Sequence, residues 1–119
     1  MSTEIGREHE DRAAKYFADH LGGRVLARNF RIRSAEIDLI AEQGGDLVFI
    51  EVRYRRRQQF GSGLESVDGK KRGRIERAAR CYLERLSDLE RRRFRGVRFD
   101  VLVTEGERVY HLKDAWRAP

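Results

Sequence analysis

Two acidic residues, Asp38 and Glu51, lie on opposite sides of a Gly44-Gly45 pair, within segments of apolar, strand-forming residues. Adjacent glycines between such segments are typical of a tight β-hairpin turn. If the hairpin closes symmetrically about these glycines, Asp38 lies directly opposite Glu51. Opposed side chains have Cβ atoms about 4.5–5.5 Å apart, so the sequence predicts two carboxylates on one face of a sheet.

Two carboxylates this close need a compensating group. At an effective dielectric constant near 20 they repel by up to about 4 kcal/mol, which a proton, an arginine or a divalent cation offsets. Oxygen ligands without His or Cys favour Mg²⁺ or Mn²⁺, the ions that assist phosphodiester hydrolysis. The pair therefore predicts a metal-dependent nuclease site, and the alternative is two surface carboxylates neutralised by arginines. The same register places Glu36 opposite Arg53, as an attractive pair.

A third acidic residue, Glu10, is predicted on the inward face of an amino-terminal helix. Residues 5–21 have helical periodicity and are followed by Gly22-Gly23, a typical stop signal. Extending the apolar stripe of this helix one turn backward reaches Glu10. The alternative is that Glu10 lies at the edge of the stripe and pairs with Arg7 or Arg12.

Positive charge is concentrated in the second half of the chain. Residues 53–98 contain sixteen Lys and Arg against six Asp and Glu, within a chain of net charge +6. Arginine suits phosphate recognition, so nucleic acid is the expected partner, ahead of a merely solvated basic surface and of an anionic membrane. The candidate nucleic-acid-binding residues are Arg55, Arg56, Arg57, Lys71, Arg74 and Arg77.

The remaining periodicities predict strands at residues 24–33, 36–41, 46–54, 97–103 and 108–112, and a second helix that begins near residue 70. This helix has the clearest apolar stripe, comprising Ile75, Ala78, Ala79, Tyr82, Leu83 and Leu86. The resulting order, αβββαββ, predicts an α/β fold with a central mixed sheet of about five strands flanked by helices. Residues 1–119 are expected to form a single domain.

Several classes of protein are excluded or disfavoured. Cys81 is the only cysteine, so the chain cannot form an intrachain disulfide or a cysteine-based zinc site. No apolar segment approaches the roughly 20 residues of a membrane span, and the polar amino terminus lacks the apolar region of a signal peptide. A cytoplasmic protein without a membrane partner is expected.

The segments AEIDLI (residues 35–40) and VFIEVRYR (residues 48–55) resemble the GEIDLI and vFVEVKxR signature of the small bacterial YraN family. The amino-terminal Gly6 and Glu10, the RNFR segment at residues 28–31 and the RFD segment at residues 98–100 also fit that family. By fold the family belongs to the restriction-endonuclease-like PD-(D/E)XK nucleases, relatives of archaeal Holliday-junction resolvases. The resemblance therefore implies a restriction-endonuclease-like fold.

The resemblance also implies that Asp38 and Glu51 bind the metal, that Glu10 completes the site, and that Glu36 and Arg53 belong to the catalytic segment. Arg53 occupies the position where the superfamily has a lysine. Arginine stays protonated, so it can stabilise negative charge but cannot act as a base. Lys71 could replace the missing lysine, and the alternative is that it contacts phosphate or solvent.

The function expected from this is Mg²⁺- or Mn²⁺-dependent cleavage of nucleic acid, DNA more than RNA, with branched or single-stranded DNA as candidate substrates. One alternative is a non-catalytic nucleic-acid-binding module on the same fold, and another is an interaction protein with a purely structural acidic cluster. A two-fold homodimer is expected only by analogy with enzymes that act on two strands.

Overall fold

The computed structural model describes residues 4–56 and 67–118. Its elements, in chain order, are α1 (Glu4–His20), β1 (Arg24–Ile32), β2 (Ala35–Gln43), β3 (Asp46–Tyr54), α2 (Gly69–Arg85), α3 (Asp88–Arg92), β4 (Gly96–Glu105) and β5 (Arg108–Trp116). The predicted α/β class and the five strands are confirmed. Within these described residues, no helix is long and apolar enough to cross a membrane.

The five strands form one mixed sheet in the order β1-β2-β3-β4-β5. Neighbouring strands are antiparallel except β3 and β4, which are parallel. Parallel neighbours need a crossover connection, and the chain between them contains α2 and α3. The turn between β2 and β3 contains Gly44 and Gly45 at φ values of 56° and 88°, a left-handed conformation that glycine adopts without steric cost.

The two long helices cover opposite faces of the sheet. Alternate residues of β3 separate into two clusters: Leu47 and Phe49 pack with Ile75 of α2, whereas Val48 and Ile50 pack with Phe17 of α1. Both clusters are buried, as expected for a sheet with helices on both faces. Glu51 follows Phe49 at the next odd position of β3, which directs its side chain towards the α2 face.

The structure adds details that the sequence did not predict. The five-residue helix α3 begins at a capping box, in which Ser87 and Glu90 each accept a hydrogen bond from the other's backbone N–H. Strand β5 extends to Trp116, four residues beyond its predicted end at residue 112, with Asp114 in a left-handed conformation (φ 53°). The observed order is thus αβββααββ, and the additional helix lies within the parallel crossover.

Candidate metal and nucleic-acid site

The β2–β3 hairpin has the predicted register. Its ladder runs from the pair Gln43–Asp46 to the pair Leu39–Ile50, and Asp38 and Glu51 are the next residues outward. Asp38 Oδ2 accepts a hydrogen bond of 2.8 Å from the backbone N–H of Val52, which fixes the carboxyl group beside Glu51. The predicted proximity of the two acidic side chains is therefore confirmed.

The pair is desolvated, which changes the protonation of Asp38. Burial, a side-chain hydrogen bond with Glu51 and the negative charge of Glu51 together raise the pKa of Asp38 from 3.8 to about 9, against an opposing contribution from the Val52 N–H. Asp38 is therefore protonated at neutral pH in the metal-free protein and shares its proton with Glu51. A proton is one of the three species, with an arginine and a divalent cation, that can offset the predicted repulsion between the two carboxylates.

Two cationic side chains also approach the pair. Glu51 is only 4% exposed, and its Oε2 lies 3.3 Å from Lys71 Nζ and 3.7 Å from Arg53 Nη2. Lys71 comes from the first turn of α2, where its backbone N–H donates a 2.9 Å hydrogen bond to the N-cap residue Asp68. Lys71 thus lies against the acidic pair, and its side chain, 37% exposed, also contacts solvent.

Glu10 is buried, as the apolar stripe of α1 predicted, and is 8% exposed. Within the part of the chain that the structure describes, neither Arg7 nor Arg12 forms an ion pair with Glu10. Instead Arg28 Nη2 of β1 lies 4.0 Å from Glu10 Oε1, and Asn29 provides a side-chain hydrogen bond. Burial raises the pKa of Glu10, although Asn29 and Arg28 oppose the change. The charge of Glu10 contributes to the raised pKa of Asp38, so the three carboxylates belong to one electrostatic cluster.

Glu36 pairs with Arg31 of the neighbouring strand β1, whose Nε lies 3.3 Å from Glu36 Oε2. The paired residues of β2 and β3 run from Gln43–Asp46 to Leu39–Ile50. The expected position of Glu36 opposite Arg53 lies beyond these pairs and stays a prediction.

The donor set fits a hard divalent cation in part. Glu51 Oε2 is a buried oxygen without a hydrogen-bond partner among the described residues, and Asp38 offers a second carboxylate beside it. Such oxygens are the ligands that Mg²⁺ and Mn²⁺ prefer. Within residues 4–56 and 67–118, however, no three His, Cys, Asp or Glu side chains are grouped closely enough to hold a metal ion. Asp38 and Glu51 thus provide two neighbouring carboxylates, and the charge of Glu10 reaches them.

The predicted nucleic-acid-binding residues occupy different environments. Arg74 and Arg77 are exposed on α2, as is Arg56 after β3. Arg55 instead lies 2.5 Å from Glu105 Oε2 and stacks over the ring of Tyr110, so its charge is already paired. Arg57 lies outside the described residues.

His9 has contacts that the sequence did not indicate. Its Nδ1 lies 2.7 Å from Oγ1 of the buried Thr104, and its ring stacks on Tyr54 at a centroid distance of 4.3 Å. Burial, with help from the nearby Arg12, lowers the pKa of His9. Helical periodicity alone could not have predicted this contact, because it joins α1 to the ends of β3 and β4.

A buried ionic cluster lies at the other end of β3 and β4. Asp100 is fully buried and accepts hydrogen bonds of 2.9 and 3.0 Å from Arg98, and its Oδ2 lies 2.5 Å from His111 Nε2. Arg98 also donates a 3.1 Å hydrogen bond to Asp46. Burial alone would raise the pKa of Asp100, but the hydrogen bonds from His111, Arg98 and the Asp114 backbone lower it. The cluster joins β3, β4 and β5.

Comparison with known proteins places this chain among bacterial relatives. The sequence profile described as "Uncharacterised protein family UPF0102" matches residues 9–104. A UPF0102 protein of Dechloromonas aromatica is 44% identical over 117 residues, which cover 98% of this chain and 92% of the relative. One of Halorhodospira halophila is 44% identical over 112 residues, covering 94% and 86%. One of Moorella thermoacetica is 51% identical over 78 residues, covering 66% and 64%.

Proposed function

The chain belongs to the UPF0102 family, and from the chemistry of its acidic pair we propose that it is a divalent-metal-dependent nuclease acting on nucleic acid. Membership confirms the family that the sequence signature resembled. The wider relationship to PD-(D/E)XK nucleases is part of the proposal. It agrees with the α/β fold and the mixed sheet.

One observation carries the proposal. Asp38 and Glu51 are held together with little access to water, and burial, with the hydrogen bond and charge of Glu51, raises the pKa of Asp38 to about 9. Like charges so close are unfavourable for stability, and strongly perturbed carboxylates of this kind concentrate at functional sites. A bound cation would offset the repulsion between the two carboxylates, which accounts for their position side by side.

Asp38 and Glu51 would hold the cation, with Glu10 as the third ligand after it leaves Asn29 and Arg28. When bound, Mg²⁺ or Mn²⁺ polarises the phosphate and lowers the pKa of an attacking water. Asp38 releases its proton to become a ligand, so cation binding is expected to tighten as the pH rises. Arg53 and Lys71, both within 4 Å of Glu51, are placed to stabilise the negative charge that develops on the phosphate.

The surrounding basic surface supplies the attraction for the substrate. Arg74 and Arg77 project from α2, the helix that also carries Lys71, so a phosphate backbone along this helix passes close to the acidic pair. We propose DNA over RNA, with branched or single-stranded DNA as the first substrates to test. A cytoplasmic location and a two-fold homodimer belong to the same proposal.

A non-catalytic nucleic-acid-binding module is the second candidate. Arg53 favours it, because a permanently protonated guanidinium replaces a lysine that can exchange its proton. In such a module the acidic pair would be neutralised by its proton and by Lys71 and Arg53, without any metal.

A cleavage assay separates the two candidates. Purified protein is incubated with labelled branched, single-stranded and duplex DNA in Mg²⁺, in Mn²⁺ or in EDTA, alongside Glu51→Gln and Lys113→Met. Lys113 is exposed on β5, at the opposite edge of the sheet from β1, and serves as the control. We expect metal-dependent products that disappear in Glu51→Gln and persist in Lys113→Met. Equal product formation by the parent and Glu51→Gln would contradict nuclease activity at this site.

A further inference from the structure

A cleft of about 280 Å³ lies between the β1–β2 turn and the amino-terminal turns of α2, and Lys71, which contacts Glu51, is part of its lining. Its polar lining comprises Arg31, Ser34, Glu36, Lys71 and Arg74. The volume is below the roughly 300–1,000 Å³ of pockets that enclose a whole small molecule. A single compact group is therefore the better fit.

The charge of the lining favours an anion. Three side chains are cationic and one is acidic, and the acidic one, Glu36, is already paired with Arg31 at 3.3 Å. Lys71 and Arg74 contribute the remaining positive charge, and Ser34 offers a hydroxyl donor. Phosphate accepts charge-assisted hydrogen bonds from such groups.

Lys71 connects the cleft to the acidic pair. Its side chain is 37% exposed and lines the cleft, while its Nζ lies 3.3 Å from Glu51 Oε2. A divalent cation held by Glu51 would repel the ammonium group at this distance. The flexible stem of lysine allows the ammonium group to move into the cleft, where a phosphate would attract it.

We propose that this cleft binds one backbone phosphate of a nucleic acid and that Lys71 is shared between this phosphate and Glu51. In the metal-free protein Lys71 is the counter-ion of Glu51. A divalent cation displaces it towards the phosphate, so the cation and the nucleic acid each strengthen the binding of the other. The inference rests on the proposed function, because it requires a cation at Asp38 and Glu51.

The test measures binding, not cleavage. A fluorescein-labelled, single-stranded 15-nucleotide DNA is titrated with parent, Lys71→Met, Arg74→Gln and Lys113→Met proteins, in EDTA and in Ca²⁺, a cation that also takes oxygen ligands. The parent is expected to bind about fivefold more tightly in Ca²⁺ than in EDTA. Lys71→Met should bind DNA equally tightly in Ca²⁺ and in EDTA. Arg74→Gln should still bind DNA more tightly in Ca²⁺ than in EDTA, but about tenfold more weakly than the parent in both buffers. Lys113→Met should bind DNA as the parent does.

A second readout uses the metal alone. Without nucleic acid, Mn²⁺ should bind Lys71→Met more tightly than the parent, because no ammonium group competes for Glu51. The shared role of Lys71 would be overturned if Lys71→Met bound Mn²⁺ no more tightly than the parent does. It would also be overturned if this variant still bound DNA more tightly in Ca²⁺ than in EDTA. Circular dichroism melting of each variant checks that it is folded.

Two further outcomes distinguish the proposals. If the parent binds no Mn²⁺ and gains nothing from Ca²⁺, the metal site of the proposed function fails, while weaker DNA binding by Arg74→Gln in EDTA still supports the phosphate cleft. If Arg74→Gln binds DNA as the parent does but binds inorganic phosphate more weakly, the cleft takes free phosphate and the inference is overturned.

Discussion

Lys71 Nζ lies 3.3 Å from Glu51 Oε2, which joins the first turn of α2 to the central strand β3. Arg53, two residues beyond Glu51 on the same strand, is slightly further from this oxygen at 3.7 Å. A lysine from a helix thus supplies the close cation next to the acidic pair, although the strand carries an arginine. The nearer of these two cations is therefore positioned by the docking of α2 on the sheet and not by the sequence of β3.

Replacing Arg53 with lysine tests whether the strand position limits catalysis. A lysine can exchange its proton with water, whereas the guanidinium stays protonated, so Arg53→Lys should raise metal-dependent cleavage by at least about tenfold. Product formation is measured on branched and single-stranded DNA under single-turnover conditions. If Arg53→Lys cleaves no more than Asp38→Asn, the binding-module candidate is favoured.

Asp38→Asn tests the desolvated pair through the stability of the metal-free protein. Native Asp38 keeps its proton up to about pH 9, whereas the unfolded residue loses it near 3.8. Between these values the native state binds more protons, so the free energy of unfolding falls as pH rises, by at most roughly 1.4 kcal/mol per pH unit. Asp38→Asn removes this contribution.

The measurement is thermal melting in EDTA from pH 4 to pH 9 at fixed ionic strength. At neutral pH the melting temperature of Asp38→Asn should equal or exceed that of the parent, and only the parent should be stabilised by Mn²⁺. The exposed Asp19→Asn serves as the control and should follow the parent. A lower melting temperature for metal-free Asp38→Asn would indicate that Asp38 is a structural counter-ion.

The exposed face of α2 is predicted to dominate the salt dependence of DNA binding. Each phosphate contact contributes a slope of about 0.9 in log affinity against log salt, so removing three arginine charges should flatten the slope by up to about 2.7. The variant carries Arg74→Gln, Arg77→Gln and Arg80→Gln, all at exposed positions. Fluorescence anisotropy with duplex DNA at several salt concentrations gives the slope.

A matched variant loses the same charge elsewhere on the exposed surface, through Lys15→Gln, Lys113→Gln and Arg117→Gln. It should retain most of the parent's slope. Equal flattening by both variants would show that net charge alone governs binding and that the α2 face is not the contact surface.

Asp100→Asn should destabilise the fold strongly, because it removes the fully buried carboxylate that pairs with Arg98, which keeps its ion pair with the less buried Asp46. Breaking a buried ion pair costs about 3–5 kcal/mol, whereas Asp88→Asn, which loses only an exposed pair with Arg91, should cost less than about 1 kcal/mol. Urea denaturation measures both variants. A cost for Asp100→Asn as small as that for Asp88→Asn would contradict a structural role for the cluster.

The lowered pKa of Asp100 also predicts that the protein loses stability in acid. Hydrogen bonds outweigh burial and hold the native pKa of Asp100 below 3.8, so its contribution to stability is complete above that pH. It is lost as the pH falls further, because the native carboxylate must then take up a proton. The difference in unfolding free energy between parent and Asp100→Asn should therefore shrink below about pH 4.

Local patterns predicted most of the fold and the centre of the site. The two glycines fixed the turn, the turn fixed the register, and the register brought Asp38 and Glu51 together. The stripe of α1 likewise predicted that Glu10 is buried. These inferences depend on neighbours along one helix or within one hairpin, where the periodicity of the chain determines which side chains meet.

Contacts between elements that are far apart in the sequence could not be predicted from these local patterns. The approach of Lys71 to Glu51 depends on how α2 docks on the sheet, and the pairing of Glu10 with Arg28 depends on how α1 meets β1. The ion pair between Glu36 and Arg31 likewise depends on how β1 lies beside β2, which the β2–β3 turn does not determine. Helix α3 has only five residues, too few for a periodic pattern to stand out.

The position of a cation in a crystal tests directly whether Asp38 and Glu51 bind a metal ion. Crystals soaked in MnCl₂ are measured at a wavelength where manganese scatters anomalously, and the difference density is calculated. We expect a peak between the carboxylates of Asp38 and Glu51, with Lys71 Nζ moved away from Glu51. A map without a peak at this pair, in which Lys71 still lies against Glu51, would contradict a metal-dependent nuclease site.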